Sequence, residues 1–220
     1  MTDAPPLDGP RFGPASGGAP GRIVVLLHGV GADGNDLIAL APHLGQVLPD
    51  ALFVAPDAPQ PCDMAPFGRQ WFSLQDMSPP ALDRGIRETA PVLDAFLDGL
   101  LAEHGLPASA LALLGFSQGS MMSLHVAPRR AEAVGAVLAY SGALVGGGAL
   151  VAEARSRPPV MLIHGTDDPV VPFDAMAAAA RALEAAGIPV RTEARPGLAH
   201  GIDEDGIRAG AAFLTETVTQ

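Results

Sequence analysis

An α/β fold built on a mostly parallel, doubly wound central sheet, with helices on both faces, is the architecture this sequence predicts. Two patterns predict it. Short strand-like runs recur at residues 22–27, 51–55, 110–114, 134–140, 160–163 and 189–194, and all but the last are apolar nearly throughout, as strands buried on both faces should be. Between them lie longer segments with apolar residues at helical spacing, joined by short turns, so strands alternate with helices. At 220 residues and 48% hydrophobic content the chain has the length and composition for one domain with a substantial core, expected over residues 22–220.

Residues 1–21 are rich in Pro and Gly, with neither a basic start nor an apolar stretch. They are expected to form a loose, flexible arm, not a signal peptide, that joins the fold near Arg22. The first strand, 22–27, empties into His28-Gly29-Val30-Gly31-Ala32-Asp33-Gly34-Asn35-Asp36. Glycines there let backbone amides approach a ligand, and Asn35 or Asp36 can cap a helix running to about Leu48. After the strand at 51–55 comes 56–80, too long for a plain connector and, with Met64, Phe67, Trp71, Phe72 and Met77, too apolar to be solvated throughout. Residues 82–104 place Ile86, Ala90, Leu93, Leu97 and Leu101 near helical spacing, and Gly105 stops that helix. The strand at 110–114 leads into a helix to about Ala127, ended by Pro128. A strand at 134–140, a Gly-rich loop with a short helical piece at 141–157, and a strand at 160–163 follow. An Ala-rich helix at 173–186, a strand at 189–194 and a helix at 207–218 close the chain.

The formal charge of −11 argues against nucleic acid and anionic membranes as partners, since basic patches carry such binding. No apolar run reaches the roughly 18 residues of a membrane span. All thirteen basic residues are Arg, which excludes P-loop, Schiff-base and Ser-Lys chemistry. Cys62 is the single cysteine, so neither an intramolecular disulfide nor a multi-Cys metal site can form. A reducing, cytoplasmic setting is expected, with Cys62 an unreactive loop thiol. A homodimer is compatible with this composition but not readable from it.

Chemistry concentrates at Gly115-Phe116-Ser117-Gln118-Gly119, a G-x-S-x-G pattern set between a strand and a helix. A sharp turn there leaves the Ser117 hydroxyl proud of the sheet edge, and glycines two residues before and after avoid collision. Serine needs a base, and histidine suits that task. Strand-end placement, in the order Ser…Asp…His, selects His200, in the loop after the last strand. His28 lies nearer the first loop, His43, His104 and His125 lie on predicted helices, and His164 is expected to brace the acidic turn. For the acid, Asp167 and Asp168 are adjacent, and spacing alone does not separate them. Pro169 stiffens the turn after Asp168 and favours that carboxylate. An oxyanion hole needs two amides, expected from Gln118 and, in the first loop, Val30.

Leu27-His28-Gly29-Val30-Gly31-Ala32-Asp33-Gly34, Gln70-Trp71-Phe72, the Ser117 segment, His164-Gly165-Thr166-Asp167-Asp168-Pro169-Val170-Val171-Pro172 and Gly197-Leu198-Ala199-His200-Gly201 together resemble the phospholipase/carboxylesterase family. This is a group of small α/β-hydrolases that includes bacterial carboxylesterases and acyl-protein thioesterases. The resemblance runs from about Arg22 to the C-terminus; Leu198, where the family often has Met, is a conservative departure. It implies an α/β-hydrolase fold without a large cap domain, and Ser117, Asp168 (not Asp167) and His200 as nucleophile, acid and base. It also implies Val30 and Gln118 as oxyanion donors, and a Trp-Phe segment beside the site. Trp71, Phe72 and Met64 are therefore expected to line an acyl pocket, the alternative being that Trp71 and Phe72 anchor a long loop in the core. The expected function is hydrolysis of short- to medium-chain carboxylic esters without metal or cofactor. The alternatives are a thioesterase or lysophospholipase for long acyl chains, and a catalytically inactive hydrolase fold used as a binding module.

Overall fold

The computed structural model describes residues 7–218. In chain order its strands are β1 (Arg11–Phe12), β2 (Arg22–Leu27), β3 (Ala51–Val54), β4 (Gln60–Pro61), β5 (Arg69–Gln70), β6 (Leu111–Phe116), β7 (Ala136–Tyr140), β8 (Val160–Gly165) and β9 (Val190–Arg195). The helices are α1 (Gly34–Ile38), α2 (Ala41–Leu44), α3 (Pro79–His104), α4 (Gln118–Val126), α5 (Leu150–Glu153), α6 (Asp174–Ala185) and α7 (Glu204–Thr217). Seven strands make one sheet in the order β1-β3-β2-β6-β7-β8-β9, parallel throughout except for β1. The mostly parallel sheet predicted from the apolar runs is the one observed.

Successive side chains of a strand point to opposite faces, and β2 feeds two cores in that way. Ile23, Val25 and Leu27 enter the core shared with α3, α4 and α6, while Val24 and Leu26 enter the one shared with α1, α2 and α7. The chain reverses direction across the sheet between β2 and β6, which register as Ile23 against Leu111 through Leu27 against Gly115. That neighbouring pair brings the first glycine-rich loop and the Ser117 turn to the same sheet edge. Edge strand β9 carries Arg191, Glu193 and Arg195, charges that discourage pairing with another sheet.

Three local expectations need correction. Residues 7–21 are not a free arm: Leu7 is buried, and β1 pairs antiparallel with β3, Arg11 opposite Val54 and Phe12 opposite Phe53. Asp57 and Ala55 amides donate to the Asp8 and Pro10 carbonyls, so the segment satisfies an edge that β3 would otherwise expose; residues 1–6 lie outside the described residues. The single helix expected to reach Leu48 is two short ones, because Pro42, inside the first turn of α2, has no amide to continue α1. Its cap is Asp33, which accepts from the Asn35 amide, not Asn35 or Asp36. Residues 56–80 contain a small antiparallel hairpin, Gln60 opposite Gln70, before α3 starts at Pro79, three residues earlier than expected.

Helix α4 is buried over its whole length, which puts His125 where it cannot easily carry charge. Burial, and secondly the charge of Arg129, push its pKa down to about 4. An unfolded chain would protonate this ring near 6.5. As pH falls from about 6.5 toward 4, the unfolded state therefore gains a proton that the folded state refuses, and stability is lost by up to about 3 kcal/mol. The melting temperature should fall over that window and the fall should shrink in His125→Gln, with buried His28 contributing in the same direction. Identical pH slopes for wild type and variant would contradict this assignment.

Candidate active site

Ser117 joins β6 to α4 with φ 53° and ψ −116°, a conformation that L-residues rarely adopt. Its amide donates to the Tyr140 carbonyl at 3.0 Å, and its carbonyl accepts from Met121 at 3.1 Å, so the turn is tied to β7 and to its own helix. Room for the turn depends on Gly115 and Gly119: a Cβ on Gly119 would strike the Leu27 carbonyl, and one on Gly115 would strike the Gly119 backbone. Ser120 reinforces the joint from beneath, its hydroxyl 2.7 Å from the carbonyls of both Gly115 and Tyr140.

His200 and Asp168 arrive from the ends of β9 and β8. His200 Nδ1 lies 2.7 Å from Asp168 Oδ2. The other oxygen, Oδ1, accepts from the amides of Val170 at 2.8 Å and Val171 at 2.9 Å. Burial pushes this carboxyl upward in pKa, but the His200 hydrogen bond and the two amides outweigh it and hold it below the usual carboxylate value. Asp168 thus stays ionised and its acceptor positions are filled, which fixes Nδ1 of His200 as the protonated nitrogen and leaves Nε2 free to act as a base. His164, expected as a brace, is one: its Nε2 donates to the Val171 carbonyl at 2.9 Å and lies 3.3 Å from Asp168 Oδ2. Asp167 is an exposed turn residue hydrogen-bonded to Thr166.

The two loops are also fastened to each other. The Asp167 amide donates to the Leu198 carbonyl at 3.0 Å, and the Gly197 amide to Thr166 Oγ1 at 2.9 Å. Arg195 and Asp203, on either side of the His200 loop, form a forked ion pair at 3.0–3.1 Å. The Phe116 ring lies against His200, centroids 4.9 Å apart, so the residue before the serine also supports the imidazole.

The first glycine-rich loop closes the site. His28 is fully buried; Nε2 accepts from the Ala58 amide at 3.0 Å, which makes Nδ1 the donor to the Gly29 carbonyl at 2.7 Å. Burial lowers its pKa and keeps it in that neutral tautomer. Hairpin strand β5 pins the loop further, with the Gly31 amide donating to the Arg69 carbonyl and the Arg69 amide to the Ala32 carbonyl, each at 2.8 Å. Among the described residues the amides of Val30 and Gln118 donate to no protein acceptor, although the loops that carry them are otherwise well bonded.

Trp71 and Phe72 are not placed as pocket wall. Both are buried, Trp71 completely, and a ring without accessible surface has none to offer a ligand. The Trp71 indole donates to the His28 carbonyl at 2.9 Å, and its own carbonyl accepts from Thr89 of α3 at 2.7 Å. They anchor the hairpin loop to the core, the alternative weighed from sequence. Met64 lies on the hairpin turn and is 65% exposed. What the sequence reading missed is the Gln118 side chain, which accepts from the Trp71 amide at 2.8 Å and donates to the Phe72 carbonyl at 2.7 Å. A polar amide side chain beside the serine, at the head of a segment with Met121, Met122, Leu124 and Val126, was the available signal. Among the described residues no group of three or more His, Cys, Asp or Glu is arranged to hold a metal.

This geometry can be set against known proteins. Residues 15–218 match the family described as Phospholipase/Carboxylesterase. The chain belongs to the phospholipase/carboxylesterase family. It is accordingly an enzyme of the serine hydrolase type that hydrolyses carboxylic esters. It is similar to Esterase YpfH of Escherichia coli K12, 29% identical over 197 residues that cover 90% of this chain and 83% of that one. A probable carboxylesterase of Oryza sativa subsp. japonica is 30% identical over 196 residues, 83% of this chain and 73% of its own. Among solved structures, esterase PE8 superposes with a TM-score of 0.92 at 44% identity, covering 96% of this chain and 99% of that one. Arabidopsis thaliana SOBER1, at a TM-score of 0.80 and 24% identity over 89% of this chain and 98% of its own, shares the α/β-hydrolase fold.

The adjacent acids give a direct test. Asp168→Asn should present an amide NH₂ to His200, force the wrong tautomer and lower kcat by roughly 10³- to 10⁴-fold. Asp167→Asn should stay within about twofold of wild type, as surface changes usually do. Comparable losses in both variants, measured on one ester, would contradict the assignment.

Proposed function

We propose that the chain is a cytoplasmic serine carboxylesterase, one hydrolase unit that includes β1, acting on short- to medium-chain esters through an acyl-enzyme on Ser117. The observation that carries this reading is the convergence of three groups at one sheet edge. They are a serine held at positive φ on a helix N-terminus, a histidine ordered by a buried carboxylate 2.7 Å away, and two unspent amides. In this mechanism Ser117 Oγ attacks the acyl carbon while His200 Nε2 takes its proton. The oxygen that becomes anionic is held by the Val30 and Gln118 amides, donors that need no reorganisation during the reaction. As the tetrahedral intermediate collapses, the carbon–oxygen bond to the alcohol breaks and His200 returns the proton to the departing oxygen. Water, deprotonated by His200, then attacks the acyl-serine, and the carboxylic acid leaves with the Ser117 hydroxyl restored.

A long-chain acyl reading has one observation in its favour. Met64 and Phe67 stand exposed on the hairpin turn, apolar surface along which an extended chain could lie. Initial rates across p-nitrophenyl esters from acetate to palmitate separate the two readings. The short-chain reading expects kcat/KM to peak between acetate and octanoate and Ser117→Ala to abolish turnover with the fold intact. A maximum at palmitate would move the assignment to long-chain substrates, and wild-type-like activity in Ser117→Ala would end the serine mechanism.

A further inference from the structure

A cavity of about 220 Å³ opens between α1 and the segment that follows His200, lined by Asp36, Leu37, Leu40, Phe116 and Ile202. Nothing in the residues discussed so far uses it. Its Phe116 wall precedes Ser117 in the chain and packs on the His200 ring, and Ile202 stands two residues beyond His200. A Cβ at Gly29 would lie 3.3 Å from both the Phe116 ring and Ser117 Cβ, so the oxyanion loop, this wall and the serine meet at one point. The cavity therefore shares the Phe116 ring with His200 and sits beside the segment that carries the imidazole.

Which half of an ester this cavity serves follows from the proton's path. In acyl transfer the histidine must hand its proton to the departing oxygen, so the leaving group lies on the histidine's side. Given the serine-hydrolase reading, on which this inference rests, we propose that the cavity is the leaving-group subsite and that it binds the hydrocarbon part of a neutral, short alcohol. Its volume lies below the roughly 300–1,000 Å³ of pockets that enclose drug-sized ligands, which suits a short alkyl chain or a single ring. Its charge is equally selective: among the described residues the one ionisable group on its lining is the exposed carboxylate of Asp36, and no cation lines it. An alcohol bearing a phosphate would meet a negative rim with no compensating partner, which disfavours lysophospholipids.

The test uses the full chain and butyrate esters of methanol, ethanol, propanol and butanol, with butyric acid release followed by titration. In wild type, kcat/KM should rise about three- to fourfold per methylene, the effect of burying one CH₂. Leu40→Trp, which fills the cavity, should flatten that rise, while the profile across methyl acetate, butyrate and hexanoate keeps its shape. Ile202→Ala, which enlarges the cavity, should shift the optimum to longer or branched alcohols, and it carries the test if Leu40→Trp fails to fold. Monobutyrin should exceed butyryl-glycerol phosphate by at least tenfold. A change in acyl-length profile with the alcohol profile intact would make this the acyl pocket and overturn the proposal, as would no change in either. A wild type that hydrolyses none of the esters in a Ser117-dependent manner removes the serine-hydrolase reading itself, an outcome distinct from an altered alcohol preference.

Discussion

The backbone of Ser117 is the constraint on which the rest of the site depends. Positive φ in a residue with a side chain costs on the order of 1–3 kcal/mol, and it persists only where its surroundings over-determine it. Here the surroundings do so from four directions. β6 lies between β2 and β7 in the middle of the sheet, α4 is buried along its length, Ser120 ties the strand end to Tyr140, and Gly119 lies against the Leu27 carbonyl. The turn points the serine out of the sheet and frees the Gln118 amide in the same movement. The proposed nucleophile and one proposed oxyanion donor thus come from one backbone geometry.

Around that turn, rigidity is built from loops bonded to loops. The first glycine-rich loop is held by His28 beneath it, by Trp71 through the His28 carbonyl, and by Arg69 through paired backbone bonds. Gln118 then connects the Ser117 turn to the Trp71-Phe72 segment. On the other side, the Asp168 and His200 loops share hydrogen bonds and are bracketed by Arg195 with Asp203. Each group is ordered by side chains whose own polar atoms are spent, which favours a precise first contact with a substrate. The neutrality of His28 is part of this design. A charged ring in that buried position would lose its role as acceptor for the Ala58 amide.

The sheet was readable because parallel strands covered on both faces leave long apolar runs, as in Val24–Leu27 and Leu111–Leu114. The pairing of His200 with Asp168 was readable because strand ends are where such sheets gather polar groups, and only one histidine follows the last strand. β1 and the β4–β5 hairpin were not readable: two-residue strands have no period, and their pairing exists only once β3 or Arg69 is in place. Helix α1 was over-extended because apolar spacing continues through Leu44 while Pro42 ends the hydrogen-bond ladder. Trp71 and Phe72 were close to the site in sequence logic and in space, but facing the core or facing a ligand is decided by partners far away in the chain, Gln118 and Thr89. No local pattern encodes that choice.

The most direct measurement is mass spectrometry of the intact protein after exposure to an organophosphonate acylation mimic, followed by peptide mapping. A strained serine activated by His200 and Asp168 predicts one covalent adduct per chain, confined to the peptide containing Ser117, and strongly slowed labelling in His200→Ala. An unlabelled but folded protein, or an adduct on another residue with Ser117 untouched, would contradict it.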